Sequence, residues 1–405
     1  VKVLIADKFE EKGVAQLKAA GCEVVHDPGL SGDALRAAIA ELDPQVLVVR
    51  STKVDEAALQ ASMQLSVVVR AGAGFNTIDV EAASGRAIMV ANCPGKNSVA
   101  VAELTFGLIL ALDRRIVDNV VDLRRGLWRK KEYGKARGLK GRTLGVVGLG
   151  QIGRAVVKRA RAFEMPVVAW SRSLTDAVAN ELGVVRCESP SEVARGCDVF
   201  SVHVAACDET RNIIDAKVLG KLRPGSYVIN TSRADVLDYR ALLCAMKELD
   251  LRVGLDVFPE EPKSGESDFR SPMAEAGALV YGTHHIGAST DQAQAAIADE
   301  TVRIVKEYAR TGRVAHCVNL CERSAARHVL VVRHRNRPGV LAHTLNAISF
   351  AGVNVDEMQN VICEGLESAC ARIKLNAPLP DEIIRKIESE NEHVLAVTFA
   401  SIDDE

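Results

Sequence analysis

The chain is 405 residues long, more than one small module and enough for two or three domains of ordinary size. Hydrophobic residues make up 48% and charged residues 26%, the balance of a globular chain rather than a disordered one. Lys and Arg number 51 against 53 Asp and Glu, and this near-neutrality argues against a nucleic-acid partner held by broad phosphate contacts.

The longest apolar stretches, such as residues 104–112, are too short to span a bilayer, so no membrane partner is expected. The chain opens on a strand-like run with no charged n-region, long apolar region or cleavage site, which predicts no export signal. Ten cysteines are scattered without a C-x-x-C pair, and Cys317 and Cys321 have the wrong spacing for a usual zinc knuckle. They read as reduced, mostly buried thiols of a cytoplasmic protein, with no metal expected.

Short β-branched runs at 3–6, 46–50, 67–71 and 88–92 alternate with helical patterns. Apolar strands in that alternation predict a parallel sheet covered on both faces, an α/β fold. Residues 98–123 read as one long helix, apolar nearly all round in its first half. A polar stretch, 126–141, precedes a second alternating series with strands at 143–147, 167–171, 199–204, 227–231, 253–257 and 279–281, and then a helix at 292–311. Residues 317–327 read as a linker. The remainder predicts strand 328–333, helix 339–351, strands 354–361 and 368–375, helix 380–389 and strand 394–400, a ferredoxin-like βαββαβ order.

Gly148-Leu149-Gly150-Gln151-Ile152-Gly153 lies between a predicted strand and a predicted helix. The first Gly allows the tight turn and the second lets backbone approach a pyrophosphate. The third permits close helix–strand packing, with free N–H groups at the helix start facing the anion. This is a dinucleotide signature. At the end of the next strand, Trp170-Ser171-Arg172-Ser173 offers no carboxylate to select NAD by its ribose hydroxyl. Two alternatives stay open: Arg172 accommodates the 2′-phosphate of NADP, or Ser171 bonds the ribose of NAD while Arg172 stacks on adenine or faces solvent. Val204, Thr231 and Ser232 are further cofactor-contact candidates.

Three segments fall at strand ends in the second series: Asn230-Thr231-Ser232-Arg233, Asp256-Val257-Phe258-Pro259-Glu260-Glu261-Pro262 and Thr283-His284-His285-Ile286-Gly287-Ala288-Ser289-Thr290. Carboxyl ends of strands face the ligand crevice of an open α/β sheet. There Arg233 can grip a carboxylate bidentately, and a His oriented by Glu261 can exchange a proton with a hydroxyl. Order and spacing resemble the D-isomer-specific 2-hydroxyacid dehydrogenases. That resemblance implies that Arg233 binds substrate, His285 is the acid/base, Glu261 is its partner, and Asp256 lies near the nicotinamide. Two departures stand out: His284 where the family usually has Pro, and Ala234 in place of Gly.

The resemblance extends over essentially the whole chain and implies two doubly wound parallel-sheet domains, Rossmann-like and flavodoxin-like, plus an ACT domain. Residues 1–93 and 286–316 would form the substrate domain, 94–285 the Rossmann domain and 322–405 the ACT domain. Within the family the chain is similar to members that oxidise 3-phospho-D-glycerate on the way to serine. Arg50-Ser51-Thr52-Lys53-Val54 resembles their phosphate-contacting segment, with Thr52 where some relatives carry a second Arg. Ala71-Gly72-Ala73-Gly74 resembles the loop whose amides face the substrate carboxylate, and Trp128-Arg129-Lys130 a further basic segment. His334, Asn336 and Asn354 match positions that contact serine between two ACT domains. The resemblance thus implies NAD, with NADP possible, a 3-phosphoglycerate substrate, an L-serine effector and a homo-oligomer, dimer or tetramer. The rivals are a hydroxypyruvate or glyoxylate reductase on the same fold and a non-catalytic nucleotide-sensing protein.

Overall fold

The computed structural model describes residues 1–262, 266–276, 280–321 and 324–402. They divide into two compact units, Val1–Asn319 and Leu320–Glu405.

The first sheet is built from Lys2–Ile5 (β1), Glu23–His26 (β2), Val46–Val49 (β3), Val67–Arg70 (β4) and Met89–Asn92 (β5). Its strands are all parallel in the order β2-β1-β3-β4-β5, a flavodoxin-like arrangement that reverses direction between β1 and β3. Successive residues of these strands go to opposite faces. Val3, Ile5, Val48 and Val69 pack with Ile297, Val302 and Val305 of helix Asp291–Thr311, whereas Leu4, Leu47, Val49 and Val68 pack with Leu35, Ile39 and Leu59.

The second sheet comprises Leu144–Val147 (β6), Val167–Trp170 (β7), Val185–Arg186 (β8), Val199–Val202 (β9), Tyr227–Asn230 (β10), Arg252–Leu255 (β11) and Val280–Gly282 (β12). The parallel order β12-β11-β10-β9-β6-β7-β8 is Rossmann-like, with its switch point between β6 and β9. Of the last strand expected at 279–281, residue 279 lies outside the described residues.

Two expectations need correction. The helix expected over 98–123 is two helices, Ser98–Arg114 and Ile116–Arg124, parted by Arg115 in the left-handed region at φ 50°. The Asn119 side chain donates to the carbonyls of Arg114 and Arg115 at the break (3.2 and 2.8 Å). The linker expected over 317–327 starts too early. Val318 N–H donates to the Val90 carbonyl (2.7 Å), and Asn319 accepts from the Val90 N–H (2.8 Å) and donates to the Ile88 carbonyl (2.9 Å). Residues up to 319 therefore belong to the first unit; the boundary expected at 322 lies outside the described residues.

The second unit has strands His328–Arg335 (β13), Val355–Ile362 (β14), Ser368–Leu375 (β15) and Val394–Ser401 (β16), antiparallel in the order β14-β15-β13-β16. With helices Val340–Phe350 and Asp381–Ser389 packed on a core of Leu330, Val332, Ile348, Ile373 and Ile387, this is the expected ferredoxin-like βαββαβ fold. Among the described residues, no helix is long and apolar enough to cross a membrane.

Candidate active site

The Gly-rich loop sits where the second sheet changes direction. Gly148 has φ +99°, and its N–H donates to the Trp170 carbonyl (2.8 Å). A Cβ at Gly148 would come within 2.7 Å of the His203 backbone, and one at Gly153 would collide with the Gly148 carbonyl. Beside Gly150, by contrast, the space is open. Gln151, Ile152 and Gly153 begin helix Gln151–Ala162, whose first-turn N–H groups have no intrahelical partner. The cradle thus fits the pyrophosphate of a dinucleotide. Ser171 follows β7, and Arg172 is exposed beside it. Val204 passes directly behind Gly148. The Thr231 hydroxyl meets Thr105 Oγ1 (3.0 Å), and the Ser232 hydroxyl donates to Asn230 Oδ1 (2.8 Å).

Glu261 and His285 come together. His285 Nδ1 donates to Glu261 Oε2 at 2.6 Å, and Glu261 Oε1 accepts the Phe258 N–H at 2.7 Å. Nδ1 being committed to the carboxylate, Nε2 is the atom left to exchange a proton. Burial works to raise the Glu261 carboxyl, but His285, the Phe258 N–H and the Arg233 charge together hold it below its usual range. Both Glu260 and His285 adopt left-handed backbone, φ 58° and 53°, so the pair is held by residues that rarely take that conformation. The neighbouring His284 is exposed.

Asp256 underpins this loop. It is 1% exposed, and its carboxylate accepts from Thr283 Oγ1 (2.6 Å), the Ile286 N–H (2.9 Å) and the Gly287 N–H (2.8 Å). Its oxygens thereby hold the segment that carries His285. Tyr239 adds a second tie by donating its hydroxyl to the Val257 carbonyl (2.8 Å).

Arg233 follows β10. Its Nη1 donates to the Ser232 carbonyl (2.6 Å), and its own carbonyl accepts from Asn230 Nδ2 (2.9 Å). The guanidinium lies so close to Gly74 that a Cβ there would strike Nη2. In the same loop the Ala73 carbonyl accepts from Asn92 Nδ2 (2.6 Å). Loop 71–74 and Arg233 are therefore neighbours, as expected.

Sequence reasoning missed Arg70, the last residue of β4. Its guanidinium is wedged against Gly72, and its Nε is buried with no hydrogen-bond partner. Burial, then the like charges of Arg233 and Arg50, push it down to about 10. Three guanidinium groups thus stand close enough for their charges to act on one another, an arrangement that favours an anion of more than one charge. The available signal was a cation ending an all-valine strand just before Gly-x-Gly. Lys53 is exposed. Lys130 lines a groove of about 320 Å³ with Asn119, Leu123, Trp128 and Tyr133.

In the second unit, His334 lies near the end of β13. It is 2% exposed; Nδ1 donates to the Arg335 carbonyl (2.8 Å) and Nε2 meets Asn360 Oδ1 (3.1 Å). Asn336 donates to the Leu366 carbonyl (2.9 Å) and Asn354 to Asp356 Oδ1 (3.1 Å). Asn336 follows the end of β13 that pairs with Ser368, whereas Asn354 precedes the end of β14 that pairs with Leu375. They stand a full strand length apart.

Comparison with known proteins places this geometry in a family. Residues 106–287 match the D-isomer specific 2-hydroxyacid dehydrogenase NAD binding domain. The chain is 34% identical over 318 residues to a glyoxylate reductase of Thermococcus litoralis, covering 76% of this chain and 94% of that protein. It is 37% identical over 322 residues to a D-3-phosphoglycerate dehydrogenase of Methanocaldococcus jannaschii, covering 79% of this chain but only 60% of that longer protein. An NAD+-bound 3-phosphoglycerate dehydrogenase of Entamoeba histolytica superposes with a TM-score of 0.66 at 27% identity, over 79% of this chain and 98% of the other. The chain belongs to the D-isomer specific 2-hydroxyacid dehydrogenase family.

Proposed function

We propose that the protein is an NAD-dependent D-3-phosphoglycerate dehydrogenase that interconverts 3-phospho-D-glycerate and 3-phosphooxypyruvate. The observation that carries this reading is the convergence of Arg50, Arg70 and Arg233, because the substrate brings two anionic groups, a carboxylate and a phosphate. Arg233 and the amides of Ala73 and Gly74 take the carboxylate; Arg50 and Arg70 take the phosphate. His285 Nε2 removes the C2 hydroxyl proton, and Glu261 at 2.6 Å stabilises the imidazolium that forms. NAD, when bound on the Gly148–Gly153 loop, supplies the hydride acceptor. Residues 1–93 with 286–316 act as the substrate domain, 94–285 as the cofactor domain and 322–405 as an ACT domain that takes L-serine.

A homo-oligomer fits the exposed apolar side chains of Ile116, Val117, Val121, Leu123 and Trp128, since a face of that kind marks an interaction surface. One observation favours reduction of glyoxylate or hydroxypyruvate instead: the chain matches nearly the full length of the Thermococcus reductase. Absorbance of NADH decides between the two with purified protein on 3-phosphooxypyruvate, hydroxypyruvate and glyoxylate. A preference for the phosphorylated substrate that Arg50→Ala removes supports the proposal. Equal use of all three contradicts it.

A further inference from the structure

The first sheet has a ligand crevice of its own. Its strand order reverses between β1 and β3, and open α/β sheets accept ligands outside the carboxyl ends of the strands at that point. Here the crevice already holds an anion, the side chain of Asp7. Its carboxylate accepts from three successive backbone N–H groups, those of Arg50 (2.7 Å), Ser51 (3.2 Å) and Thr52 (3.1 Å), and from the Ser51 hydroxyl (2.8 Å). Successive N–H groups of this kind form a concave nest that elsewhere binds phosphate. With Asp7 in the nest, those amides are unavailable to substrate. Only side chains presented above the loop can read a phosphate there.

Those side chains come from adjacent strands. Arg50 follows β3 and Arg70 ends β4, paired in register with Val49. Asp7 follows β1 on the other side of β3. Arg70 feels repulsion from Arg50 and Arg233, and Asp7 opposes it. Burial works to raise the Asp7 carboxyl, but the N–H groups of Arg50 and Thr52 and the Ser51 hydroxyl hold it below its ordinary range, so it stays charged.

We propose that Asp7 is a positioning residue for substrate specificity: it fixes the loop Arg50-Ser51-Thr52 so that Arg50 stands beside Arg70 as a two-guanidinium clamp for the phosphate. The inference rests on the reading of a phosphorylated substrate given above. It also accounts for Thr52, which stands where some relatives carry a second Arg: Arg70 supplies that cation from the next strand. Asp7 itself touches no substrate.

The test is steady-state kinetics of the full chain on 3-phosphooxypyruvate and hydroxypyruvate, which differ only in the phosphate. Asp7→Asn keeps the shape of the side chain, removes its charge and turns an amide donor toward the loop N–H groups. We expect the KM for 3-phosphooxypyruvate to rise about tenfold relative to that for hydroxypyruvate, the scale of a hydrogen-bonded charge lost. The kcat values should fall less than the KM rises, because a group acting on phosphate binding leaves the reacting atoms alone. Ser51→Ala, which removes one bond to Asp7 and keeps the charge, should give a selective rise of about threefold if Asp7→Asn does not fold. Arg50→Ala and Arg70→Met separate the two ways of failing. If neither is phosphate-selective, the substrate reading fails and the inference with it. If both are selective while Asp7→Asn and Ser51→Ala shift the two substrates equally or not at all, the inference about Asp7 is overturned and the substrate reading stands.

Discussion

A proton leaving the substrate hydroxyl needs a base within hydrogen-bond reach, and His285 with its Nδ1 tied to Glu261 offers one. His285→Ala should lower kcat about 10²–10⁴-fold, the usual worth of a positioned general base, while His284→Pro should retain activity. Active His285 variants beside inactive His284 variants would reverse the assignment. Arg70 supplies the second prediction at this scale. A buried cation with an unpaired Nε and two like-charged neighbours is costly unless substrate completes it. Arg70→Met should reduce kcat/KM for 3-phosphooxypyruvate by about 10–10²-fold more than for hydroxypyruvate, and it should not destabilise the free protein in thermal melts. A loss shared equally by both substrates would remove Arg70 from the phosphate site.

At the scale of elements, Glu300 fastens helix Asp291–Thr311 to the segments before and after it. Its carboxylate meets Lys96 (3.1 Å), Arg303 (2.6 Å) and His316 (3.0 Å). The Arg303 hydrogen bonds, against the burial that would raise it, bring its carboxyl down to about 2. A depressed folded value means the contribution is present above the ordinary carboxylate range and fades as pH falls from about 4.5 toward 2. Because Lys96 and Arg303 are partly exposed, we expect Glu300→Gln to cost about 1–2 kcal/mol at pH 7 and the gap to the wild type to narrow below about pH 4.5 and close as pH approaches about 2. A gap that stays constant with pH in denaturant titrations would contradict this. Most elements were legible because apolar strands and Gly loops are local signals. The fully buried β3, β6 and β10 were found, whereas the edge strand β2 exposes both its end residues and β8 both of its residues, and neither carries such a run. The break at Arg115 had no signal either, since nothing in an apolar-then-mixed helix marks one left-handed residue. In the site, motif-borne residues such as Arg233, Glu261 and His285 could be picked out as candidates. Asp7 and Arg70 could not, because their roles arise from strands that are neighbours only in the folded sheet.

For the whole molecule, the placement of Asn336 and Asn354 constrains the proposed serine binding. They lie at opposite ends of the β13–β15–β14 array, opposite Glu367 and Asn376 respectively, roughly 30 Å apart at about 3.3 Å per residue. One serine can therefore meet both only where two copies of the second unit come together. Serine binding to the full chain should depend on assembly, and Asn354→Ala should weaken inhibition while leaving the rate without serine nearly intact. Initial rates and calorimetry on the same samples check this; an allosteric coupling of about 1–3 kcal/mol would be typical. Rates that ignore serine despite calorimetric binding would show a sensor without coupling.

The central claim is that three guanidinium groups and the His285–Glu261 pair make a dehydrogenase for a phosphorylated 2-hydroxy acid. The most direct measurement is the ratio of kcat/KM for 3-phosphooxypyruvate to that for hydroxypyruvate, with NADH and purified protein. We predict a ratio above about 10², which two charge-assisted contacts to the phosphate readily supply. A ratio near one, or a preference for hydroxypyruvate, would contradict the account.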